Sequence, residues 1–405
     1  MKEIKGHTED QEELQQLEEE WQREVQTHKD FRILCHPNII EFIAAITRDE
    51  KRYLMFRWAD GGNLRQFWRQ YKRPIVSPAL VRDIIIQLRG LAEGLEKLHL
   101  YGGGTGSYRH GDLKPENILR VRTKKENESQ PDVGILKISD MGLAKHHTVN
   151  TKYRAATKMK YTTVRYQAPE VVLHSLSGKA RSRRFDIWSM GCVTLEFIVW
   201  LLYGNKELDL FNKSIVGKFG EEVPFYQIKD DDGMEKAIVH PAVDAAMDTI
   251  SRDQECKGHT AINDLFGIVR NQLLVVNLGT AAEETRENSP SQGSPKQTNL
   301  FPMRRATTLI NDEQESRASA SVFREKLDDI ISNGDKNKLY WFTGKKRDHI
   351  TRMQTTPVTS GPNAPDSHLS VDFRPRRDSK RVKEQSTPGE VSLAIPTRAQ
   401  AQSVR

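Results

Sequence analysis

Residues 109–119 read Arg109-His110-Gly111-Asp112-Leu113-Lys114-Pro115-Glu116-Asn117-Ile118-Leu119, and the order of polar groups in this stretch decides how the rest of the chain is read. An Asp followed two residues on by Lys and five on by Asn suits the movement of a phosphoryl group from a nucleotide to a hydroxyl. The Asp112 carboxylate can accept the hydroxyl proton or orient the attacking oxygen. Lys114 can neutralise charge on the phosphate in flight, and the Asn117 amide oxygen can ligate Mg²⁺. Pro115 stiffens the loop between them, and Ile118-Leu119 open an apolar strand that would anchor it. The plain alternative is a solvated polar turn before a strand.

The flanking sequence argues against that alternative. Downstream, Leu136-Lys137-Ile138-Ser139 is an apolar strand ending in Asp140-Met141-Gly142, 28 residues after Asp112. Thr162-Thr163-Val164-Arg165-Tyr166-Gln167-Ala168-Pro169-Glu170 follows, and Asp186-Ile187-Trp188-Ser189-Met190-Gly191 opens an apolar helix. Upstream, Lys2-Glu3-Ile4 reads as a strand end. Thr8 with Gln11 offers a capping box for a helix whose apolar face is Leu14, Leu17, Trp21 and Val25, with Glu24 beside it. Arg52–Phe56 reads as a buried strand leading into Arg57-Trp58-Ala59-Asp60-Gly61-Gly62-Asn63-Leu64. Ser77-Pro78 is a cap and first position for a core helix through Val81, Ile84, Leu88, Leu91, Leu95 and Leu98. Tyr101-Gly102-Gly103-Gly104-Thr105-Gly106 lies between that helix and the Asp112 loop and reads as a surface extension, since a phosphate-cradling loop needs a preceding strand.

Taken in this order, the motifs resemble the eukaryotic protein kinases. The runs Tyr108–Asn117, Trp58–Leu64 and Trp200-Leu201-Leu202-Tyr203-Gly204 are similar to those of the diverse serine/threonine kinases of filamentous fungi. The resemblance covers about residues 1–333 and implies an α+β, bilobal, protein-kinase-like fold. A small, partial antiparallel β-sheet N-lobe would occupy 1–58, and a larger, mainly helical C-lobe 59–333. Residues 279–312, rich in Ser, Pro, Gln, Asn and Thr, would form a disordered insertion, and 334–405 a basic, largely disordered tail whose start Tyr340-Trp341-Phe342 would pin to the domain.

The same resemblance implies ATP and Mg²⁺ as cofactors and a protein Ser or Thr as substrate. Asp112 would be base or aligner, Lys114 the charge stabiliser, and Asn117 and Asp140 the Mg²⁺ ligands. Lys2, held by Glu24, would grip the phosphates, with Lys5 as the competitor for that role. The backbone at Trp58 and Ala59 would bind adenine, with Leu119 as its floor. Thr163 would belong to a peptide-docking loop, Asp186 would cap the catalytic-loop backbone, and Arg317 would pair with Glu170.

Three departures qualify this reading. No Gly-rich loop precedes Lys2, which fits either a longer natural chain or a kinase-like scaffold without catalysis; intact Asp112, Lys114, Asn117 and Asp140 favour the former. Gly111 stands where the family has an Arg that pairs with a phosphorylated activation segment. An internal apolar stack would run through His28, Met141 and His110, and His28 is more polar than usual there, so its helix is expected to dock loosely or in two states. His-Gly-Asp with Asn five residues after the Asp also resembles small-molecule phosphotransferases such as the aminoglycoside and choline kinases. The peptide-docking features weigh against that reading.

Composition agrees with a folded domain plus polar segments. Only 37% of the 405 residues are apolar, and the net charge is +7. From Phe342 onward there are 12 Lys and Arg against 6 Asp and Glu, so the positive charge describes the tail and no nucleic-acid partner is expected. Cys35, Cys192 and Cys256 have no paired spacing for zinc or redox work, which fits a reducing compartment, cytoplasm or nucleus. The longest apolar run, Val193–Tyr203, is interrupted by Glu196 and is short for a bilayer, so it reads as a buried helix without a membrane partner. Substrate identity and oligomeric state have no signature in the chain.

Overall fold

The structure is a computed structural model that describes residues 2–4, 11–48, 51–101, 106–123, 131–140, 145–148, 164–173, 183–231, 234–277 and 316–345. Strands β1 (Lys2–Ile4), β2 (Phe42–Arg48) and β3 (Lys51–Phe56) form an antiparallel sheet in the order β1-β3-β2, with Lys2 opposite Leu54. On helix α1 (Gln11–Leu34), Trp21 and Val25 are four residues apart on one face and bury with Phe42 and Leu54 in a small, separate core. That core takes in one face of the sheet, so Leu54 is fully buried and Phe56 packs half-buried against the cluster, while Tyr53 and Met55 on the other face are half-buried. The strand is therefore less enclosed than its hydrophobicity predicts. Thr8, the expected cap of α1, lies outside the described residues.

The second half of α1 belongs to the larger core. Phe31 meets Tyr108 edge-on at 4.8 Å, and the Tyr108 hydroxyl donates to Asp30 at 2.6 Å. Beyond α1, Asn38 donates to the Leu136 carbonyl at 2.8 Å. Gly90 leaves room for this approach, since a Cβ there would lie 2.3 Å from the Asn38 side-chain oxygen.

Short-range chemistry sets the next elements. Helix α2 (Leu64–Gln70) starts with a full capping box between Asn63 and Gln66. Helix α3 (Pro78–Leu100) starts as predicted, with Ser77 accepting the Leu80 N–H and Pro78 in the first turn. Its six predicted core residues are all buried. Strands β4 (Gly106–Arg109), β5 (Ile118–Val121), β6 (Ile135–Ile138) and β7 (Lys145–Thr148) then form two antiparallel pairs, β4 with β7 and β5 with β6.

Helices α4 (Glu170–Leu173), α5 (Arg184–Tyr203) and α6 (Asn205–Ser214) precede a hairpin of β8 (Tyr226–Asp231) and β9 (Met234–Val239). Helices α7 (Pro241–Ser251), α8 (Ala261–Ile268) and α9 (Ala320–Lys336) complete the described helical region. Helix α5 is long and apolar enough to cross a membrane, yet all of its residues are buried within the fold, where it acts as the axis of the large core.

Two buried carboxylates join α4 and α5 to distant loops. Asp186, 0% exposed, accepts the His110 and Gly111 N–H groups at 2.9 Å each and meets His99 Nε2 at 2.9 Å. Gly111 sits at φ 82°, a left-handed conformation that glycine enters without steric cost. Glu170 accepts from Arg317 Nη1 at 2.8 Å, with both side chains at most 2% exposed. Arg317 also donates to the carbonyls of Val275 and Arg184, and its guanidinium lies 5.0 Å from the Trp188 ring.

The folded chain runs past the boundary expected at 333, to Lys345. Tyr340 and Trp341 are buried, and the Tyr340 hydroxyl donates to Asp264 at 2.6 Å. Thr343 donates to Glu255 through both its hydroxyl and its N–H. These contacts bind 334–345 to α8 and its approach, where composition alone predicts a tail. The 279–312 insertion, the chain beyond Lys345, and Gly102–Thr105, Met141, Gly142 and Thr163 lie outside the described residues.

Two measurements test these anchors. Arg317→Ala leaves a buried carboxylate without its cation and is expected to cost about 3–5 kcal/mol in denaturant unfolding, with Glu170→Gln/Arg317→Met milder than either single change. For Asp186, burial pushes the carboxyl up, but the His99 ring, His110 and the Gly111 N–H hold it below its ordinary value of 3.8. Its stabilising contribution is therefore full above that value and is lost as pH falls through the lower folded-state pKa. Asp186→Asn should destabilise by about 1–3 kcal/mol near neutral pH, and the gap to the unaltered protein should close only in strong acid.

Candidate active site

The loop after β4 is clipped at both ends. His110, 1% exposed, accepts the Asp112 N–H on Nδ1 at 3.2 Å, so its Nε2 carries the proton and donates to the Ser139 carbonyl at 2.8 Å. Ser139 in turn donates to the Asn117 carbonyl with both its N–H and its hydroxyl, at 2.9 Å each. These bonds place Asp140, the residue after Ser139, beside the turn that ends in Asn117. Asp140 sits at φ 60°, a region that non-glycine residues rarely adopt and that clusters at functional sites.

Within the loop, Lys114 and Asn117 converge on the Asp112 carboxylate. Lys114 Nζ lies 2.8 Å from Asp112 Oδ2. Asn117 Nδ2 donates to the Asp112 carbonyl at 2.8 Å and to its Oδ2 at 3.2 Å. The amide nitrogen is spent on these bonds, so the oxygen is the atom Asn117 offers to a ligand. The Asp112 and Lys114 side chains are 12% and 20% exposed, buried enough to be held and open enough to meet a substrate.

A second strip of chain lies against β5. Gly61 N–H donates to the Arg120 carbonyl at 2.9 Å, and Arg120 N–H to the Gly62 carbonyl at 2.8 Å, while Asn63 bridges to Leu119. These bonds make the 61–63 segment a neighbour of Leu119 and Arg120. The Trp58 indole is 79% exposed and Ala59 half-buried, so only backbone groups of Trp58 are candidates for a ligand on that strip.

Lys2 lies on β1 and Glu24 on α1, and the Lys2 side chain lies outside the described residues. Glu24 is 14% exposed and lies 3.9 Å from His28 Nε2. The His28 ring, 2% exposed, stacks on Phe42 at 5.4 Å and meets Phe56 edge-on at 4.9 Å. The residue expected to loosen α1 is packed as an aromatic plate between two phenyl rings.

Among the described residues no three His, Cys, Asp or Glu gather as a metal site. Asn117 and Asp140 offer oxygen donors, a set that fits Mg²⁺, which takes most of its ligands from phosphate oxygens and water.

Sequence reasoning missed the side chains around this loop. Arg65, at the start of α2, reaches Glu116 and Glu196, and Glu196 had registered only as a break in an apolar run. The capping box Asn63-x-x-Gln66 was a readable signal for where α2 starts. No comparable signal marks Arg65.

Comparisons with known proteins agree with this geometry. The family model for the protein kinase domain matches residues 1–231. The meiosis induction protein kinase IME2/SME1 of Saccharomyces cerevisiae is 31% identical over 156 residues, covering 36% of this chain and 22% of its own. An Aurora kinase of Schizosaccharomyces pombe is 29% identical over 183 residues, covering 45% of this chain and 42% of its own. The mouse serine/threonine-protein kinase ICK is 28% identical over 187 residues, covering 46% of this chain and 25% of its own. The chain therefore spans less than half the length of each of these relatives. With more than half of its residues matched by the family model, and with the loop around Asp112 clipped to α5, the chain belongs to the protein kinase family.

Proposed function

We propose that this chain transfers the γ-phosphate of ATP to a Ser or Thr hydroxyl of a protein. The observation that carries the proposal is the convergence of Lys114 and Asn117 on the Asp112 carboxylate, with Asp140 beside Asn117. Names of the relatives as protein kinases, one of them a serine/threonine-protein kinase, support the substrate class.

In the proposed reaction the hydroxyl oxygen of the substrate bonds to the γ-phosphorus as the bond to the β,γ-bridging oxygen breaks, and ADP leaves. Asp112 Oδ2 orients the hydroxyl and receives its proton. Lys114, already beside that oxygen, is placed to offset charge on the transferring group. Asn117 and Asp140 would hold Mg²⁺, which when bound neutralises phosphate charge. Lys2 with Glu24 would grip the phosphates, backbone groups at Trp58 and Ala59 would take the adenine edge, and Leu119 would lie under the ring. Most of the chain's contribution is positioning, as phosphoryl transfer requires. Residues 1–58 would form the nucleotide-covering part and the region from 59 onward the substrate-binding part.

Two experiments separate the roles. Asp112→Ala should lower the phosphorylation rate of a protein substrate by about 10²–10⁴-fold while Mg·ATP still raises the melting temperature; a variant with an undiminished rate would remove Asp112 from the mechanism. Asn117→Ala and Asp140→Ala should each lose the Mg²⁺-dependent part of that stabilisation. If Mg·ATP gives the unaltered protein no saturable stabilisation, the transfer reading gives way to a kinase-like scaffold that acts by protein interaction.

A further inference from the structure

Arg65 takes no part in the chemistry proposed above, yet its guanidinium meets groups from four parts of the fold. Its side chain is 12% exposed. Nε donates to Glu116 Oε1 at 3.1 Å, on the turn between Lys114 and Asn117. Nη2 donates to both Glu196 oxygens at 3.2 Å, on α5, and to the Tyr166 hydroxyl. That hydroxyl donates onward to Glu196 Oε2 at 3.0 Å, and the Tyr166 carbonyl accepts the Ser189 hydroxyl at 2.8 Å. The guanidinium carbon also lies 5.2 Å from the Trp68 ring.

The charges in this niche depend on one another. Glu196 is fully buried, and burial raises its carboxyl above the ordinary value even beside Arg65. Burial works against the Arg65 cation too, yet Glu196, Tyr166 and Glu116 hold its pKa above the ordinary arginine value. Only a planar fork can point one N–H at Glu116 and another at Glu196 and Tyr166 at once; an ammonium offers no such fixed spread. Glu116 lies between Lys114 and Asn117 in sequence, so whatever fixes Glu116 fixes the turn that carries both. Tyr166 lies in the 162–170 loop read as the peptide-docking segment.

We propose that Arg65 is a positioning residue for phosphoryl transfer, setting the catalytic turn at Glu116 and the docking loop at Tyr166 in register on Glu196 of α5. The inference rests on the kinase reading above and deepens it.

The test is Arg65→Ala in the full chain, read by steady-state kinetics and by amide hydrogen exchange. We expect kcat to fall about 100-fold with the KM for ATP nearly unchanged, and exchange to rise over 112–118 and 164–167. Added n-propylguanidinium should refill the niche and restore both readouts, whereas Arg65→Lys should recover thermal stability without recovering kcat. Because Arg65→Ala strands a buried carboxylate, Arg65→Ala/Glu196→Gln serves as a second variant that folds without that charge and should show the same loss of kcat. Undiminished kcat with unchanged exchange in either folded variant, or no response to n-propylguanidinium, overturns the proposal. If the unaltered protein transfers no phosphate, the kinase reading alone fails, and exchange over 112–118 then decides the positioning role by itself.

Discussion

A carboxylate held in the middle of an apolar core is costly unless it is hydrogen-bonded and paired, and Asp186 meets that condition with two backbone N–H groups and a histidine ring. The consequence reaches well beyond stability. With His110 and Gly111 tied to α5, the His110 ring is fixed, and through it both the Asp112 N–H and the Ser139 carbonyl. Ser139 then fixes the carbonyl of Asn117. One buried charge thus anchors a chain of bonds that reaches the Asp112 N–H, Ser139 and the Asn117 carbonyl.

Helix α5 repeats this arrangement along its length. Glu196 is ten residues beyond Asp186, about 15 Å at 1.5 Å per residue, and holds Arg65 and Tyr166 as Asp186 holds the loop backbone. Nearer its start, the Arg184 carbonyl accepts from Arg317, which also answers Glu170. An otherwise apolar helix therefore carries its polar contacts as a few fully buried anchors, each bound to a different loop. The loops owe their geometry to a rigid element whose own position is set by hydrophobic burial.

How much of this was legible depended on the range of the interaction. The Ser77-Pro78 start of α3 and the face of Trp21 and Val25 on α1 are local patterns of three or four residues, and they appear where the sequence places them. The Asp112 loop was readable because its chemistry is concentrated within a few residues. Arg317 with Glu170, 147 residues apart, was reachable only through resemblance to a family, since nothing in either neighbourhood points to the other. Arg65 with Glu196 had neither a local pattern nor a family motif behind it. The β8–β9 hairpin, with charged residues crowded near its turn, carries too little alternation to stand out. Composition marks 334–345 as tail, yet the aromatic run Tyr340-Trp341-Phe342 within it is a legible pin, and Tyr340 and Trp341 are buried.

The split loyalty of α1 gives the helix the mechanics of a lever. Its load end, around Trp21, Glu24 and Val25, rides on the small sheet, while Asp30 and Phe31 are fastened to Tyr108 on the strand that enters the Asp112 loop. The fulcrum therefore sits at the C-terminal end, and the arm from Phe31 to Glu24 is about 10 Å at 1.5 Å per residue. A tilt of roughly 20° about that point would carry Glu24, with the sheet it rides on, through about 3–4 Å relative to the Asp112 loop. Sliding, by contrast, would have to tear Tyr108 from Asp30, so this geometry permits rotation of the helix and resists its translation.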